Sequence, residues 1–180
     1  MATWRSKHDV IWTSGPVEAR RYRRRMVAQT VVRGPRRAAL DEGYSLLARY
    51  VLGRNEEGEV MDMVVPILQQ RVEDPSGPAW LVYVILPEEC TSEHLPQPLG
   101  GRVEVLEAPE TTIATLRFAF YASERKLARK EQELRKTLAA RGTAVVGEPI
   151  YAFYSSPFIP PFMRRNEVWL EVAGGEESGA

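Results

Sequence analysis

The chain is poor in the residues that build disulfide frameworks and metal centres. Cys90 is the only cysteine among 180 residues, and His8 and His94 are the only histidines. A single cysteine excludes an intramolecular disulfide and a cysteine-cluster metal site, and two histidines alone do not make a convincing metal site. We therefore predict no disulfide and no metal ion held by side chains of the chain.

Long apolar runs and an excess of one charge are also absent. No apolar run approaches the roughly 18 residues of a membrane-spanning helix, and residues 1–10 lack the apolar region of a signal peptide. Lysine plus arginine and aspartate plus glutamate number 24 each, so no global field favours nucleic acid or an anionic membrane. These absences favour a cytoplasmic protein with no membrane span and no nucleic-acid partner, and they leave its oligomeric state open.

Catalytic signatures are equally scarce. The sequence has no phosphate-cradling glycine loop and no G-x-S-x-G motif. Cys90 and His94 lie four residues apart in a polar stretch, but an activated thiol needs a defined electropositive environment that this stretch does not suggest. We predict no catalytic residue and favour a binding protein over an enzyme.

Strands and helices follow one another in the same order twice. Apolar residues recur at spacings of three and four over Arg36–Leu52, and Ser123 can cap a second helix over about residues 124–141. Alternating or β-branched residues predict strands at 17–22, 26–32, 61–70, 80–86, 102–107, 111–120, 149–154 and 167–172. The repeated order indicates an α+β protein whose two halves join their strands into one twisted sheet or distorted barrel.

This order also predicts the domain organisation. Residues 1–16 are expected to form an irregular lead-in, and residues 17–172 a single domain with halves at about 17–87 and 102–172. Residues 173–180, rich in glycine and glutamate, are expected to form a flexible acidic tail.

Arginines crowd the first predicted strand region and permit three interpretations. They could contact nucleic-acid phosphates, pair with carboxylates of a ligand, or line a solvated strand edge that resists aggregation. No basic helix or interleaved aromatic pattern supports nucleic acid, so the structural interpretation is favoured for Arg20, Arg21, Arg23, Arg24 and Arg25.

Two apolar features are candidates for a binding surface. Tyr44, Leu47 and Val51 share one face of the first helix, where ordinary packing against a sheet is the default explanation. The loop Phe158–Met163 is unusually apolar for a connection, and loops normally stay in contact with water. We expect this loop either to fold back on the body of the protein or to cover a pocket.

Several ordered stretches resemble the SOUL haem-binding family. The most specific are the Met-x-Met-x-x-Pro strand at 61–66 and the Arg-Asn-Glu-Val-Trp segment at 165–169. The resemblance extends over 17–22, 39–50, 53–58, 61–67 and 154–170. It implies a twisted antiparallel or mixed β-barrel of two pseudo-twofold-related halves, flanked by two long helices.

The same resemblance implies a tetrapyrrole site on the first helix, under the loop before the last strand. A porphyrin is a large apolar disc with two carboxylates, so it requires apolar walls and a cation at one edge, a role that Arg49 could fill. Two departures bear on iron and propionate binding: Arg21 stands where some relatives place a histidine, and Asp41 where relatives have a basic residue. The implied ligand contacts are Tyr44, Leu47, Ala48 and Arg49 on the helix, with Phe158, Phe162 and Met163 on the loop.

These observations favour a non-enzymatic carrier or buffer of haem or a related tetrapyrrole. The duplicated fold also resembles the effector-binding domains of gyrase-inhibitor-like regulators, so a stand-alone binder of hydrophobic drugs or of a protein partner is the alternative. Removal of a metal from a porphyrin is a weaker third hypothesis, because the sequence presents no positioned acid or base.

Overall fold

The computed structural model describes residues 4–5, 7–62, 64–155 and 158–173. Met63, Ser156, Pro157 and the predicted tail beyond 173 lie outside the described residues. In chain order, the elements are β1 Trp4–Arg5, β2 Asp9–Ser14, β3 Val17–Tyr22, β4 Arg25–Arg33, α1 Arg36–Val51, β5 Val64–Val65, β6 Ile67–Val72, β7 Ala79–Ile85, β8 Glu104–Ala108, β9 Thr111–Phe118, α2 Glu124–Ala140, β10 Val145–Phe153 and β11 Asn166–Val172. The predicted α+β class and both predicted helices are confirmed, and neither helix is long and apolar enough to cross a membrane.

The chain divides into two compact units, and the first contains residues 24–109. Its strands pair antiparallel in the order β6-β7-β4-β8, and β1 pairs in parallel with β5. Helix α1 packs on β4 and β7. The core between helix and strands is apolar and includes Ala28, Leu47, Val51, Val82 and Val84.

The second unit contains residues 7–23 together with the chain from 110 onwards. Its strands pair antiparallel in the order β2-β3-β9-β11-β10. Helix α2 begins at the predicted cap, because Ser123 Oγ accepts a hydrogen bond from the Lys126 backbone N–H at 3.3 Å. Leu127, Leu134 and Leu138 of this helix are buried against these strands.

Two predictions about the strands need correction. Asp9–Ser14 forms β2, whereas the sequence predicts an irregular segment there. The strand is largely exposed and lacks an apolar pattern, so its pairing with β3 defines it. The predicted strand 61–70 is interrupted at Pro66, which has no N–H to donate to a ladder.

The strand order of each unit is open, so the predicted barrel is not confirmed.

A buried carboxylate lies in the second unit. Arg20 donates to both oxygens of Glu167 at 2.8 and 3.2 Å, and these side chains are 3% and 0% exposed. Tyr154 Oη and Trp169 Nε1 donate to Glu167 Oε2 at 2.9 and 2.7 Å, and Arg165 donates to Oε1. Six donor groups from four side chains therefore surround one carboxylate, which satisfies its oxygens within the core.

These contacts control the ionisation of Glu167. Burial alone would raise its pKa, but the hydrogen bond and charge of Arg20, the charge of Arg165 and the indole of Trp169 outweigh burial. The pKa falls to about 2. Glu167 is thus ionised at neutral pH despite its burial, and Arg20 belongs to the core instead of a ligand-facing surface.

The other arginines of the crowded region also have local partners. Arg23 pairs with Asp9 at 3.4 Å, and Arg24 pairs with Glu107 at 3.2 Å, both at exposed positions. Such exposed pairs contribute little to stability. Their dispersion over both units supports the structural interpretation of the arginine cluster.

The ionisation of Glu167 should make part of the stability depend on pH. Its folded-state pKa lies below the usual 4.5, so its contribution is complete above pH 4.5 and is lost as the pH falls through about 2. The difference in free energy of unfolding between the native chain and Glu167→Gln should shrink on acidification from pH 7 to pH 2 by about 3 kcal/mol. Urea denaturation at each pH measures this, and a difference that does not vary with pH would contradict the assignment.

Candidate ligand-binding site on helix α1

The site begins with the seating of α1 on the first unit. The buried face of the helix contains Ala39, Gly43, Leu47, Tyr50 and Val51. A Cβ atom at Gly43 would lie 2.6 Å from Val82 Cβ of β7, a separation that real side chains do not tolerate. The absence of a side chain at 43 thus lets the helix backbone rest directly on the strand, and this contact determines which face points outward.

The outward face carries a row of apolar side chains that we call the outer row: Tyr44, Ala48, Leu52 and Val60. Tyr44, Ala48 and Leu52 follow one another at intervals of four residues, which places them on one side of the helix. Tyr44 is 46% exposed, Leu52 is 48% exposed and Val60 is 64% exposed. From Tyr44 to Leu52 the helical rise gives a length of about 12 Å.

Asn55 organises the turn that brings Val60 into the outer row. Its side chain is buried and its Nδ2 donates to the backbone carbonyls of Tyr50 and Glu59 at 3.2 and 2.7 Å, while its Oδ1 accepts from the Glu59 N–H at 2.9 Å. Val60 then forms an antiparallel bridge with Leu52. The amide thus joins the end of the helix to the returning chain, so the turn after α1 becomes part of the site.

Two cations lie near this row. Arg37 precedes Tyr44 by seven residues and therefore lies on the same face, about 10 Å further along the axis. Arg49 follows Ala48 directly and is turned about 100° away from the row. Both are exposed, and neither forms an ion pair within the described part of the chain. Asp41 is also exposed on the Arg37 side of the row, where its carboxylate offsets part of that positive charge.

The predicted site residues differ in their exposure and in the unit to which they belong. Leu47 is 1% exposed and belongs to the core, so it supports the helix from below while Tyr44 and Ala48 face outward. Phe158, Phe162 and Met163, in the second unit, are 95%, 66% and 64% exposed, so the loop does not bury these side chains. That helix and loop contact one ligand stays a prediction. Sequence reasoning missed Leu52, Val60 and Arg37; the spacing of Arg37 and Leu52 from Tyr44 was the available signal for those two.

Cys90 and His94 do not form an activated pair. Burial, followed by the charges of Glu89 and Glu59, raises the pKa of the Cys90 thiol. Its Sγ donates to the Met61 thioether sulfur at 3.9 Å, and His94 Nδ1 lies 3.5 Å from the Thr91 hydroxyl. A protonated thiol is a poor nucleophile.

The outer row itself contains few groups that can bind iron, whereas Met61, Cys90 and His94 line the cavity beside Val60. Arg21 lies in β3, and the ring of His8 contacts the ring of Tyr22, with centroids 5.2 Å apart. Over the described residues, no three or more His, Cys, Asp or Glu side chains come together as a metal site. Tyr44 is the one member of the outer row with an oxygen that can ligate haem iron, as tyrosine does in catalase.

Comparison with known proteins identifies a family whose sequence pattern this chain matches. The model of the SOUL heme-binding protein family matches residues 5–171. Heme-binding protein 1 of Sus scrofa is 31% identical over 140 residues, covering 75% of this chain and 72% of that protein. Heme-binding protein 2 of Homo sapiens is 29% identical over 177 residues, covering 93% and 83%.

Solved structures share the fold at much lower identity. The C-terminal domain of EcmrR has a TM-score of 0.67 at 9% identity, covering 87% of this chain and 96% of that domain. A hydrolase from Listeria innocua has a TM-score of 0.59 at 15% identity, covering 86% and 91%. At these identities the likeness concerns the fold alone.

The seating of α1 leads to a prediction of unusual sign. Replacement of an ordinary helical glycine by alanine raises the free energy of unfolding by about 1 kcal/mol. Gly43→Ala should instead lower it by about 1–3 kcal/mol, because the added methyl overlaps Val82. Urea denaturation measures the change, and Ser45→Ala, at an exposed position of the same helix, is the matched control. Val82→Ala should recover part of the loss in a double-mutant cycle; equal effects of Gly43→Ala in both backgrounds would refute the contact.

Proposed function

This chain belongs to the SOUL heme-binding protein family, and from that membership we propose that it binds haem or a related tetrapyrrole on the outer row of α1. In this proposal the protein is a carrier or buffer and not an enzyme. The observation that carries the proposal is the exposed apolar row on a helix whose orientation is set by Gly43 and Val82.

The outer row suits a flat apolar molecule. Tyr44, Leu52 and Val60 are each about half or more exposed, so a porphyrin ring laid across them would remove apolar area from water without displacing core residues. Arg37 and Arg49 can pair with propionates because guanidinium binds carboxylate through two parallel hydrogen bonds. Asp41 disfavours a carboxylate beside it, so Arg49 is the better placed of the two cations.

The predicted loop contacts belong to the same proposal. Phe158, Phe162 and Met163 are exposed and apolar, and the family resemblance implies that they form the surface facing the helix across the ligand. Leu47 would contribute indirectly, by keeping the helix seated. The iron, if ligated from the outer row, would bind the Tyr44 oxygen, whereas binding of the metal-free ring would rely on the apolar surface alone.

Haemin titration followed through the Soret band tests the proposal. The native chain should give a saturable shift, and Tyr44→Ser or Leu52→Ser should weaken binding about tenfold, which corresponds to about 1.4 kcal/mol of lost apolar contact. Val31→Ser is the matched control, because Val31 is a 52% exposed apolar residue of β4 in the same unit. No saturable change with haemin would refute the proposal.

Tyr44→Phe separates iron ligation from ring binding. The substitution keeps the aromatic surface and removes the phenol oxygen. If Tyr44 ligates iron, the variant should lose affinity for haemin while it retains affinity for metal-free protoporphyrin, which is followed by its fluorescence. Equal losses for both ligands would assign Tyr44 a packing role only.

A cavity in the first unit supports a second candidate function. It has a volume of about 600 Å³ and combines apolar side chains, among them Met61 and Leu95, with the carboxylates Glu57, Glu59 and Glu89. Such a lining favours a lipophilic cation. A cationic hydrophobic drug is one ligand of the kind that the effector-binding alternative describes. Saturable binding of rhodamine 6G that is lost in Glu59→Gln, with no haemin binding, would favour this alternative.

A further inference from the structure

The second unit exposes a group of apolar side chains that we call the aromatic patch. Its members come from the segment after β9 and from the loop before β11. Soluble proteins rarely leave such a group exposed unless it contacts a partner or a membrane. The members and their exposed fractions are Phe120 53%, Tyr121 62%, Phe158 95%, Ile159 38%, Phe162 66% and Met163 64%.

The aromatic patch is held together by backbone contacts. The Phe120 N–H donates to the Pro161 carbonyl at 2.9 Å, and Asn166 Nδ2 donates to the Phe120 carbonyl at 2.8 Å. Phe120 has a φ of 70°, in the left-handed region that side chains other than glycine rarely adopt. These contacts hold the segment after β9 and the loop before β11 next to each other, which brings their exposed apolar residues to one side of the second unit.

Cations flank the aromatic patch. The guanidinium of Arg164 lies 5.0 Å from the ring centroid of Tyr121. Lys126 Nζ lies 5.3 Å from the rings of both Phe118 and Phe120 and donates to the Ala119 carbonyl at 2.6 Å. Arg164 and Lys126 therefore place positive charge directly against rings of the aromatic patch.

A basic groove of about 730 Å³ lies along α2, and Lys126, whose Nζ lies over the Phe120 ring, is part of its lining. Arg125, Lys126 and Arg129 contribute to its lining, together with uncharged side chains. Arg125 and Arg129 are exposed and have no ion pair among the described residues. The nearby Glu131 pairs with Arg135 and Glu133 pairs with Lys130. Glu124 is the acidic residue of the first turn of α2.

We propose that this surface docks the protein peripherally on an anionic phospholipid bilayer, with the aromatic patch at the level of the headgroups and the basic groove facing their charge. Tyr121 suits the membrane interface, because tyrosine has an apolar ring and a hydroxyl that stays wet, and the phenylalanine rings add apolar area for insertion. Cations near an anionic bilayer are attracted by its negative surface potential. The net charge of the chain is zero, so its composition does not indicate this local grouping of positive and apolar side chains.

Vesicle flotation with the full chain, without added tetrapyrrole, tests the proposal. Vesicles of phosphatidylcholine and phosphatidylserine in equal amounts should bind the protein at least about tenfold more strongly than phosphatidylcholine alone, as two or more cations near the surface predict. Added salt should weaken binding, because it screens the charges. Equal binding to both vesicle types, or none to either, would overturn the proposal.

Two variants separate the apolar contribution from the electrostatic one. Tyr121→Ser should reduce binding to both vesicle types, and Arg125→Glu with Arg129→Glu should abolish the preference for phosphatidylserine. The matched controls are Val146→Ser, at a 47% exposed position of β10, and Arg54→Glu with Arg71→Glu, which changes the net charge equally in the first unit. Thermal unfolding confirms that each variant folds.

The outcomes are distinguishable from those of the tetrapyrrole proposal. The aromatic patch shares Phe158, Phe162 and Met163 with the proposed tetrapyrrole contacts, but no substitution used here falls on those three residues or on the outer row. Haemin titration of each variant should therefore match the native chain whether or not vesicles bind. Controls that lose as much vesicle binding as the patch variants would overturn the docking surface. A concentration-dependent dimer that Tyr121→Ser abolishes would instead assign the aromatic patch to self-association.

Discussion

The contact between Gly43 and Val82 is the constraint on which the candidate site depends. A helix lying on a sheet can usually rotate a little to accommodate new side chains, but here the backbone of α1 rests directly on the β7 side chain. Rotation would bring Leu47 out of the core or force Tyr44 into it, and both changes are costly. The outer row is thus a rigid surface, which reduces the conformational entropy that a ligand must remove on binding.

The second unit depends on a different kind of interaction. Its core contains the Glu167 carboxylate. Arg20 of β3, Trp169 of β11 and Tyr154, which follows β10 directly, converge on it. A hydrogen-bonded charge of this kind tolerates few alternative packings, because any displaced strand would leave an ion without partners. The unit can therefore present an exposed apolar loop next to a well-defined sheet.

The sequence predicted the elements that carry local signals, such as helical spacing and a helix cap. It failed where pairing with a distant strand determines the structure. Both helices were predictable from spacing, and the α2 start followed from Ser123. Strand β2 was not, because its largely exposed residues do not alternate between apolar and polar, and they become a strand only beside β3. In the candidate site, Tyr44 and Ala48 were identified through the family resemblance, whereas Val60 was missed because a turn stabilised by Asn55 brings it back to Leu52. The role of Arg20 was also missed, since its partner lies 147 residues away.

The membership of β3 in the second unit has a consequence for biosynthesis. Val17 of β3 pairs with Leu116 of β9, so one edge of β3 stays without its final partner until the ribosome has made nearly all of the first unit. The hairpin of β2 and β3 can form early, but residues 24–109 are complete before the second unit can close. Newly made chains thus carry a strand with an open edge during elongation, and such edges are sites where nascent proteins aggregate or recruit chaperones.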